Sequence, residues 1–280
     1  MKAMDEKAVD SIIRAALAED LPAGDITTDT LIASELQVRA VIISKEEGVL
    51  AGLDIARRVF QLLDPSIVFE KQKEDGQRFR REEILARLSG PAVAILKGER
   101  TALNFLQRLC GIATMTSRFA AAAGPKTKIL DTRKTTPNLR LLEKYAVRMG
   151  GGYNHRLNLS EAVLIKDNHL RLFSSIREAV EKAKALLPPL TEIEVEVTSV
   201  GEAKEALEAG ASRLLLDNMP LRRMRRVLAL VAGRIPVEVS GRINLRRVQK
   251  ISCLGVDYIS VGRLTHSYRS IDISLELVED

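Results

Sequence analysis

Apolar positions recur first at helical spacing, then at strand spacing, and finally as short runs that alternate with helices. Val9, Ile12, Ile13, Ala16 and Leu17 share one face of a helix predicted over 5–19, because residues three and four apart lie one above the other. The turn cluster Asp20-Leu21-Pro22-Ala23-Gly24 stops it. Asp25-Ile26-Thr27-Thr28 then reads as a turn whose side chains bond their own backbone. From Leu36 to Leu50, Val38, Ala40 and Ile42 alternate with Gln37, Arg39 and Val41, the period of a strand. A helix over Leu53–Leu63 ends at Asp64-Pro65, and strands follow around Val68-Phe69, Ile84–Leu88 and Ala92–Leu96, punctuated by Asp75-Gly76 and Gly90-Pro91. A long helix is predicted from near Gly98 to about Ala123, with Arg100 in its first turn. There a cation has the wrong sign for the helix dipole, which makes sense if Arg100 and the helix terminus serve an anion together.

Past Lys126 the rhythm becomes strand, helix, strand, helix. The strand candidates are Lys128–Leu130, Val163–Ile165, Ile193–Val197, Arg213–Leu216, Pro236–Val239 and Tyr258–Val261. Ser175-x-x-Glu178 and Ser199-x-x-Glu202 fit the capping box that starts a helix. Glu196, Asp217, Ser240 and Gly262 recur about every 22 residues, one compact βα unit each. Such alternation demands a parallel sheet, either open and doubly wound or closed into a barrel.

Each of these runs ends in polar or charged groups: Asp131-Thr132-Arg133-Lys134, Lys166-Asp167-Asn168, Glu196, Asp217-Asn218, Ser240-Gly241 and Gly262-Arg263. In a barrel the carboxyl ends of the strands converge on one mouth, so these groups would face one another across a ligand. The stretch from Ile129 to Leu170 concentrates the cations Arg133, Lys134, Arg156 and Lys166, with His155 beside them. Arginine grips carboxylate or phosphate through two parallel hydrogen bonds and lysine supplies a point charge, so the ligand expected is a small polyanion. Glu196 and Asp217 together suit Mg²⁺ or sugar hydroxyls. Glu192, Glu194 and Glu196 alternate along one strand, an acidic stripe whose partners are taken to include Lys166. Ser240-Gly241 and Gly262-Arg263 suit a phosphate held on backbone N–H groups. His155 has no second His or Cys at ligand spacing, so it is not expected to bind metal. His266 and Ser267 lack triad partners, and Arg222-Arg223-Met224-Arg225-Arg226 reads as a solvated face or subunit contact.

Composition narrows the classes. The 280 residues are 46% hydrophobic and 29% charged, as in an ordinary globular protein. No apolar run reaches the roughly 18 residues of a membrane span. The N-terminal residues lack the apolar core of a signal peptide, and the two cysteines, Cys110 and Cys253, fit a reducing cytoplasm. A net charge of +6 raises nucleic acid as a partner, but aromatics are only 4% with no Trp, leaving little for base stacking.

The chain resembles the quinolinate phosphoribosyltransferases. The resemblance lies in E-D-L-P-A-G-D-I-T-T (19–28), E-R-T-A-L-N-F-L-Q-R-L (99–109), I-L-D-T-R-K-T-T-P (129–137), E-K-Y-A-V-R-M-G-G-G (143–152), N-H-R-L (154–157), V-L-I-K-D-N-H-L (163–170), E-V-E-V (194–197), L-L-D-N-M (215–219) and S-V-G-R-L-T-H-S (260–267). It implies an incomplete seven-stranded α/β barrel over 108–267, with an N-terminal α/β sandwich domain over 1–107 to which the tail 268–280 returns. It implies a homodimer with a shared active site, further assembly to a hexamer staying open, and Arg100 contributed across that interface. The implied reaction joins quinolinate to 5-phosphoribosyl-1-pyrophosphate with Mg²⁺, giving nicotinate mononucleotide, pyrophosphate and CO₂. By the same motifs Arg133, His155, Arg156 and Lys166 face quinolinate, and Lys134 lies near the phosphoribosyl donor. Glu196 and Asp217 meet the ribose hydroxyls and metal, and Ser240, Gly241 and Gly262 meet the 5-phosphate. The family usually has S-G-G where this chain has Ser240-Gly241-Arg242, so Arg242 either joins the phosphate clamp or crowds it. The rival readings are a paralogue that is linked to molybdenum transport or uses nicotinate, and a non-catalytic RNA-binding protein.

Overall fold

The computed structural model describes residues 5–278, which form two compact units. The first comprises 5–117, 135–151 and 264–278, and the second 118–134 and 152–263. In chain order the elements are α1 (Glu6–Asp20), α2 (Ile26–Leu31), β1 (Gln37–Ser44), β2 (Gly48–Val49), α3 (Leu53–Leu63), β3 (Val68–Lys71), β4 (Arg78–Phe79), β5 (Ile84–Pro91) and α4 (Ala92–Ala123). They continue as β6 (Lys128–Leu130), α5 (Arg140–Met149), β7 (Val163–Ile165), α6 (Asp167–Leu170), α7 (Ile176–Leu186), β8 (Ile193–Val197) and α8 (Val200–Glu208). The last are β9 (Arg213–Asp217), α9 (Leu221–Val231), β10 (Val237–Ser240), α10 (Leu245–Ser252), β11 (Tyr258–Ser260), α11 (Arg263–His266) and β12 (Ile273–Val278).

The first unit is built on an antiparallel sheet ordered β12-β1-β5-β3. Strand β1 lies inside it, so Ala40, Val41 and Ile42 are all buried and the alternation read from the sequence fades at its centre. Strand β12 pairs along β1 from Ser44↔Ile273 to Arg39↔Val278. Two expectations are corrected here. Ala92–Leu96 is not a strand but the start of α4. Arg100 therefore sits more than two turns inside that helix, and the dipole argument built on a first-turn position falls. Gly98 does not start α4 either: a Cβ there would come within 2.8 Å of the Phe60 ring, so glycine answers to packing. The second correction is at Asp25, whose carboxylate accepts from the N–H groups of Thr27 (3.0 Å) and Thr28 (3.1 Å) and so caps the short helix α2.

The second unit carries six parallel strands ordered β6-β11-β10-β9-β8-β7. Residues such as Leu214, Leu216, Val237, Val239 and Ile259 are fully or almost fully buried, as expected of a parallel sheet covered by its crossover helices. A seventh segment adds to the outer edge of β6 through the parallel bridge Leu130↔Tyr153, with Tyr153 N–H donating to the Ile129 carbonyl at 2.8 Å. Among the described residues no pairing joins this segment to β7, so the sheet stays open, an incomplete barrel. Ser175 and Ser199 cap α7 and α8 as read, each accepting at 3.1 Å from the N–H three residues on. The returning carboxylates bond one residue earlier than a capping box requires, Glu178 at Ser174 N–H and Glu202 at Thr198 N–H. In α9, Arg222, Arg223, Arg225 and Arg226 are exposed around the buried Met224.

Candidate active site

The carboxyl ends of the parallel strands carry the polar groups. Asp217 ends β9 beside Ser240, which ends β10, the two being paired in register, and the Ser240 hydroxyl donates to Asp217 Oδ1 at 2.7 Å. The neighbouring Asn218 donates to Asp217 Oδ2 at 2.7 Å. Glu196 projects from β8 and is half-buried. Burial first, then the Asp217 charge, holds its carboxyl above the usual carboxylate range, while Lys166 opposes the shift. Lys166 therefore acts on Glu196 from the end of β7, with its backbone N–H held by His169 Nδ1 at 3.0 Å. Excess negative charge with a half-open face is the local character of this corner.

The loops after Ser240 and Asp217 are tightly fitted. Gly241 has φ +88, and a Cβ there would lie 2.3 Å from Asn218 Oδ1, so only glycine is accommodated. Arg247 spans both loops, donating to the Gly241 carbonyl (3.0 Å) and the Met219 carbonyl (2.9 Å). Arg242 is exposed and has φ +50. A side chain in this left-handed region costs about 1–2 kcal/mol, a cost glycine would not carry. Gly262 follows β11 and is half-buried.

Nearer the open edge lies a cationic cluster on a braced loop. The fully buried Asp131, just past β6, accepts from Asn154 Nδ2 and from His155 N–H at 2.9 Å. This fixes the segment that carries Arg156, whose Nη1 donates to the Ala162 carbonyl at 2.8 Å. Burial lowers the Arg156 pKa and the Arg133 charge lowers it further, while Glu194 raises it. Two guanidiniums thus share a confined space with their repulsion only partly offset, a condition an anion would relieve. Lys134 is exposed, its backbone N–H held by Thr132 Oγ1 at 3.0 Å. Arg100 belongs to the first unit, where it is exposed on α4.

Beneath these groups the barrel interior is ionic. His155 Nε2 lies 3.1 Å from Glu194 Oε2 and 3.7 Å from Glu238 Oε1. Glu238 also meets Arg213 Nη1 at 3.5 Å and accepts from the Ser260 hydroxyl. Burial, then the Glu194 charge, pushes the Glu238 carboxyl up from its ordinary range. Within the acidic stripe Glu194 meets His155, Glu192 lies 3.9 Å from Arg213 Nη2, and Lys166 acts on Glu196. His155, Glu194 and Glu238 bring one ligand atom each within 4.8 Å of one another, a buried cluster with the donor atoms to hold a divalent metal ion. Ligand spacing in the sequence missed it because its members come from a loop and two separate strands. Arg247 was missed for the same reason, and Asp131, read as a strand-end group facing a ligand, is instead fully buried and holds the Asn154–His155 segment.

Such strand-end chemistry on an open parallel barrel, with cations and paired carboxylates at one rim, defines an α/β-barrel enzyme acting on anionic substrates. The profile of the quinolinate phosphoribosyl transferase C-terminal domain matches residues 112–276 and that of its N-terminal domain residues 25–110. A Bacillus subtilis protein, a probable nicotinate-nucleotide pyrophosphorylase (carboxylating), is 44% identical over 92% of this chain and 90% of its own. The chloroplastic nicotinate-nucleotide pyrophosphorylase (carboxylating) of Arabidopsis thaliana is 40% identical over 95% and 82%. The crystal structure of NadC from Streptococcus pyogenes superposes with a TM-score of 0.95 at 42% identity, each chain covered in full. The chain belongs to the quinolinate phosphoribosyl transferase family. A likeness to human Nicotinic Acid Phosphoribosyltransferase, 13% identical with a TM-score of 0.65 over 96% of this chain and 74% of that one, is one of fold alone. Among the described residues no helix is long and apolar enough to cross a membrane.

Proposed function

We infer that the chain transfers phosphoribosyl from 5-phosphoribosyl-1-pyrophosphate to quinolinate and releases pyrophosphate and CO₂, yielding nicotinate mononucleotide for NAD synthesis. One observation carries the site reading above the rest: burial and the Arg133 charge lower the Arg156 pKa at the same rim where burial and the Asp217 charge raise that of Glu196. A dianionic pyridine would offset the first and a metal-bound sugar phosphate the second.

Arg133, Arg156 and Lys166 take the two quinolinate carboxylates, with His155 on the same loop as Arg156. Lys134 meets the phosphoribosyl donor, and Ser240, Gly241, Arg242 and Gly262 receive its 5-phosphate. Glu196 and Asp217 accept from the ribose hydroxyls and would hold Mg²⁺. They fit a hard cation that keeps several waters better than the buried His155 cluster does, because both offer oxygen only and stay half-open. When bound, the metal would neutralise the departing pyrophosphate. The cations aim the ring nitrogen at the anomeric carbon, and this positioning supplies much of the rate. The bond from that carbon to the pyrophosphate oxygen breaks as the nitrogen–carbon bond forms, and Glu196 and Asp217 stabilise the positive charge growing on the sugar. The adjacent carboxylate then departs as CO₂, leaving its electron pair on the ring carbon, where the neighbouring cationic nitrogen stabilises it until that carbon takes a proton from solvent water. A homodimer is part of the reading, Arg100 reaching a neighbour's quinolinate from its exposed place on α4; the cytoplasm is its site of action.

The test is to incubate the protein with donor and Mg²⁺ plus either quinolinate or nicotinate, and to follow nicotinate mononucleotide and CO₂. Product from quinolinate alone is expected. Turnover of nicotinate alone would overturn the substrate assignment.

A further inference from the structure

Both ring nitrogens of His155 are engaged within the protein. Nδ1 accepts the Arg156 N–H at 2.8 Å, and Nε2 lies 3.1 Å from Glu194. The first bond leaves the ring proton on Nε2, aimed at the Glu194 carboxylate. The imidazole retains only 12% exposure, and Glu194 and Glu238 beneath it retain 8% and 1%. No ring nitrogen is left to meet a substrate oxygen, although the residue sits beside cations that can. We propose that His155 is a positioning residue, which clips the Arg156 backbone to the buried Glu194–Glu238 pair and so aims the Arg156 guanidinium at the substrate anion.

The rest of the loop supports this role. Its other attachment is Asp131, whose carboxylate accepts from the His155 N–H, so the residue before Arg156 is held from the barrel wall and from the barrel interior at once. The Arg156 side chain is then stretched to the Ala162 carbonyl. Arg213, stacked on Tyr258 at 4.6 Å from the ring centroid, balances Glu238 from the far side. Glu238 thus has the Arg213 guanidinium on one side and the imidazole on the other, and the imidazole is the group that faces the loop.

The inference rests on the proposed substrate, so the wild-type protein is assayed first with quinolinate and donor; an inactive wild type refutes that reading and not this one. The variants are His155→Ala, Glu194→Ala, Glu194→Gln and the double alanine variant, each checked for wild-type circular dichroism. Glu194→Gln keeps an acceptor for Nε2–H and serves as the conservative control. Expected are rises of about 10-fold in KM for quinolinate in both single alanine variants, the scale of one lost charge-assisted hydrogen bond. KM for the donor should stay within about 2-fold, Glu194→Gln should keep most of the wild-type KM, and the double variant should be no worse than His155→Ala, as residues acting in series require. A Glu194→Ala enzyme with unchanged KM, or single effects that multiply in the double variant, would show His155 touching substrate itself and overturn the proposal. So would alanine variants that lose kcat at unchanged KM, the mark of a merely structural loss.

Discussion

Gly241→Ala probes how the two strand-end loops are interlocked. The added methyl would sit 2.3 Å from Asn218 Oδ1 and 2.8 Å from the Asn218 backbone nitrogen, on a residue with φ +88. The left-handed backbone alone costs alanine about 1–2 kcal/mol. Relieving the overlap requires moving Asn218, which donates to Asp217 at 2.7 Å and whose N–H bonds the Ser240 carbonyl at 3.1 Å. Loss of one such bond adds roughly 1 kcal/mol, so about 2–3 kcal/mol is expected in all. In a domain of this size that lowers the melting temperature by roughly 5–10 °C. The same displacement loosens Asp217 and the 5-phosphate corner together, so KM for the phosphoribosyl donor should rise by at least about 10-fold. Calorimetry and steady-state kinetics on the purified variant read both. Wild-type melting with wild-type KM would refute the fitted-loop argument.

Three other perturbations test separate parts of the account. Lys166→Ala and Arg133→Ala should each lower turnover at least about 100-fold, the scale of a lost preorganised charge contact, with circular dichroism unchanged; near-normal rates would remove both from the site. Arg242→Gly should relieve backbone strain and gain under about 1 kcal/mol in urea unfolding, while raising KM for the donor by about 3-fold as a peripheral charge is lost; a less stable variant would contradict the strain reading. Glu238→Gln should flatten the pH dependence of stability: a buried carboxyl whose folded pKa is raised keeps its proton where the unfolded chain has lost it. Stability therefore falls as pH rises from the ordinary carboxylate range toward neutrality, and the amide should remove that slope; an unchanged slope in thermal melts from pH 4 to 8 would assign it elsewhere.

The barrel was legible because its strands are short, largely apolar runs ending abruptly in polar or charged groups, a pattern local enough to read residue by residue. Lys128–Leu130, Val163–Ile165 and Ile193–Val197 match β6, β7 and β8 at both ends. Ala92–Leu96 misled because five apolar residues behind Gly90-Pro91 look the same as a strand or as the buried start of a helix. In the structure Ala92, Ile95 and Gly98 are buried at helical spacing, with Gly98 packed against Phe60. Asp25 was recognised as bonding its own backbone, but the bonds close a helix and not a turn. In the site, the outward groups at strand ends could be read from order alone. The interior could not: Glu194 and Glu238 meet through His155 only once the sheet curls, and neither the loop clip at Asp131 nor Arg247's bridge has a sequence spacing to announce it.

A crystal structure of the protein with quinolinate bound tests the central claim most directly, that the strand ends of the parallel sheet deliver their ionic side chains to one anion site. The two carboxylates should lie on Arg133, Arg156 and Lys166, with Glu196 and Asp217 opening beside the ring nitrogen. Quinolinate seated away from these strand ends would contradict the account.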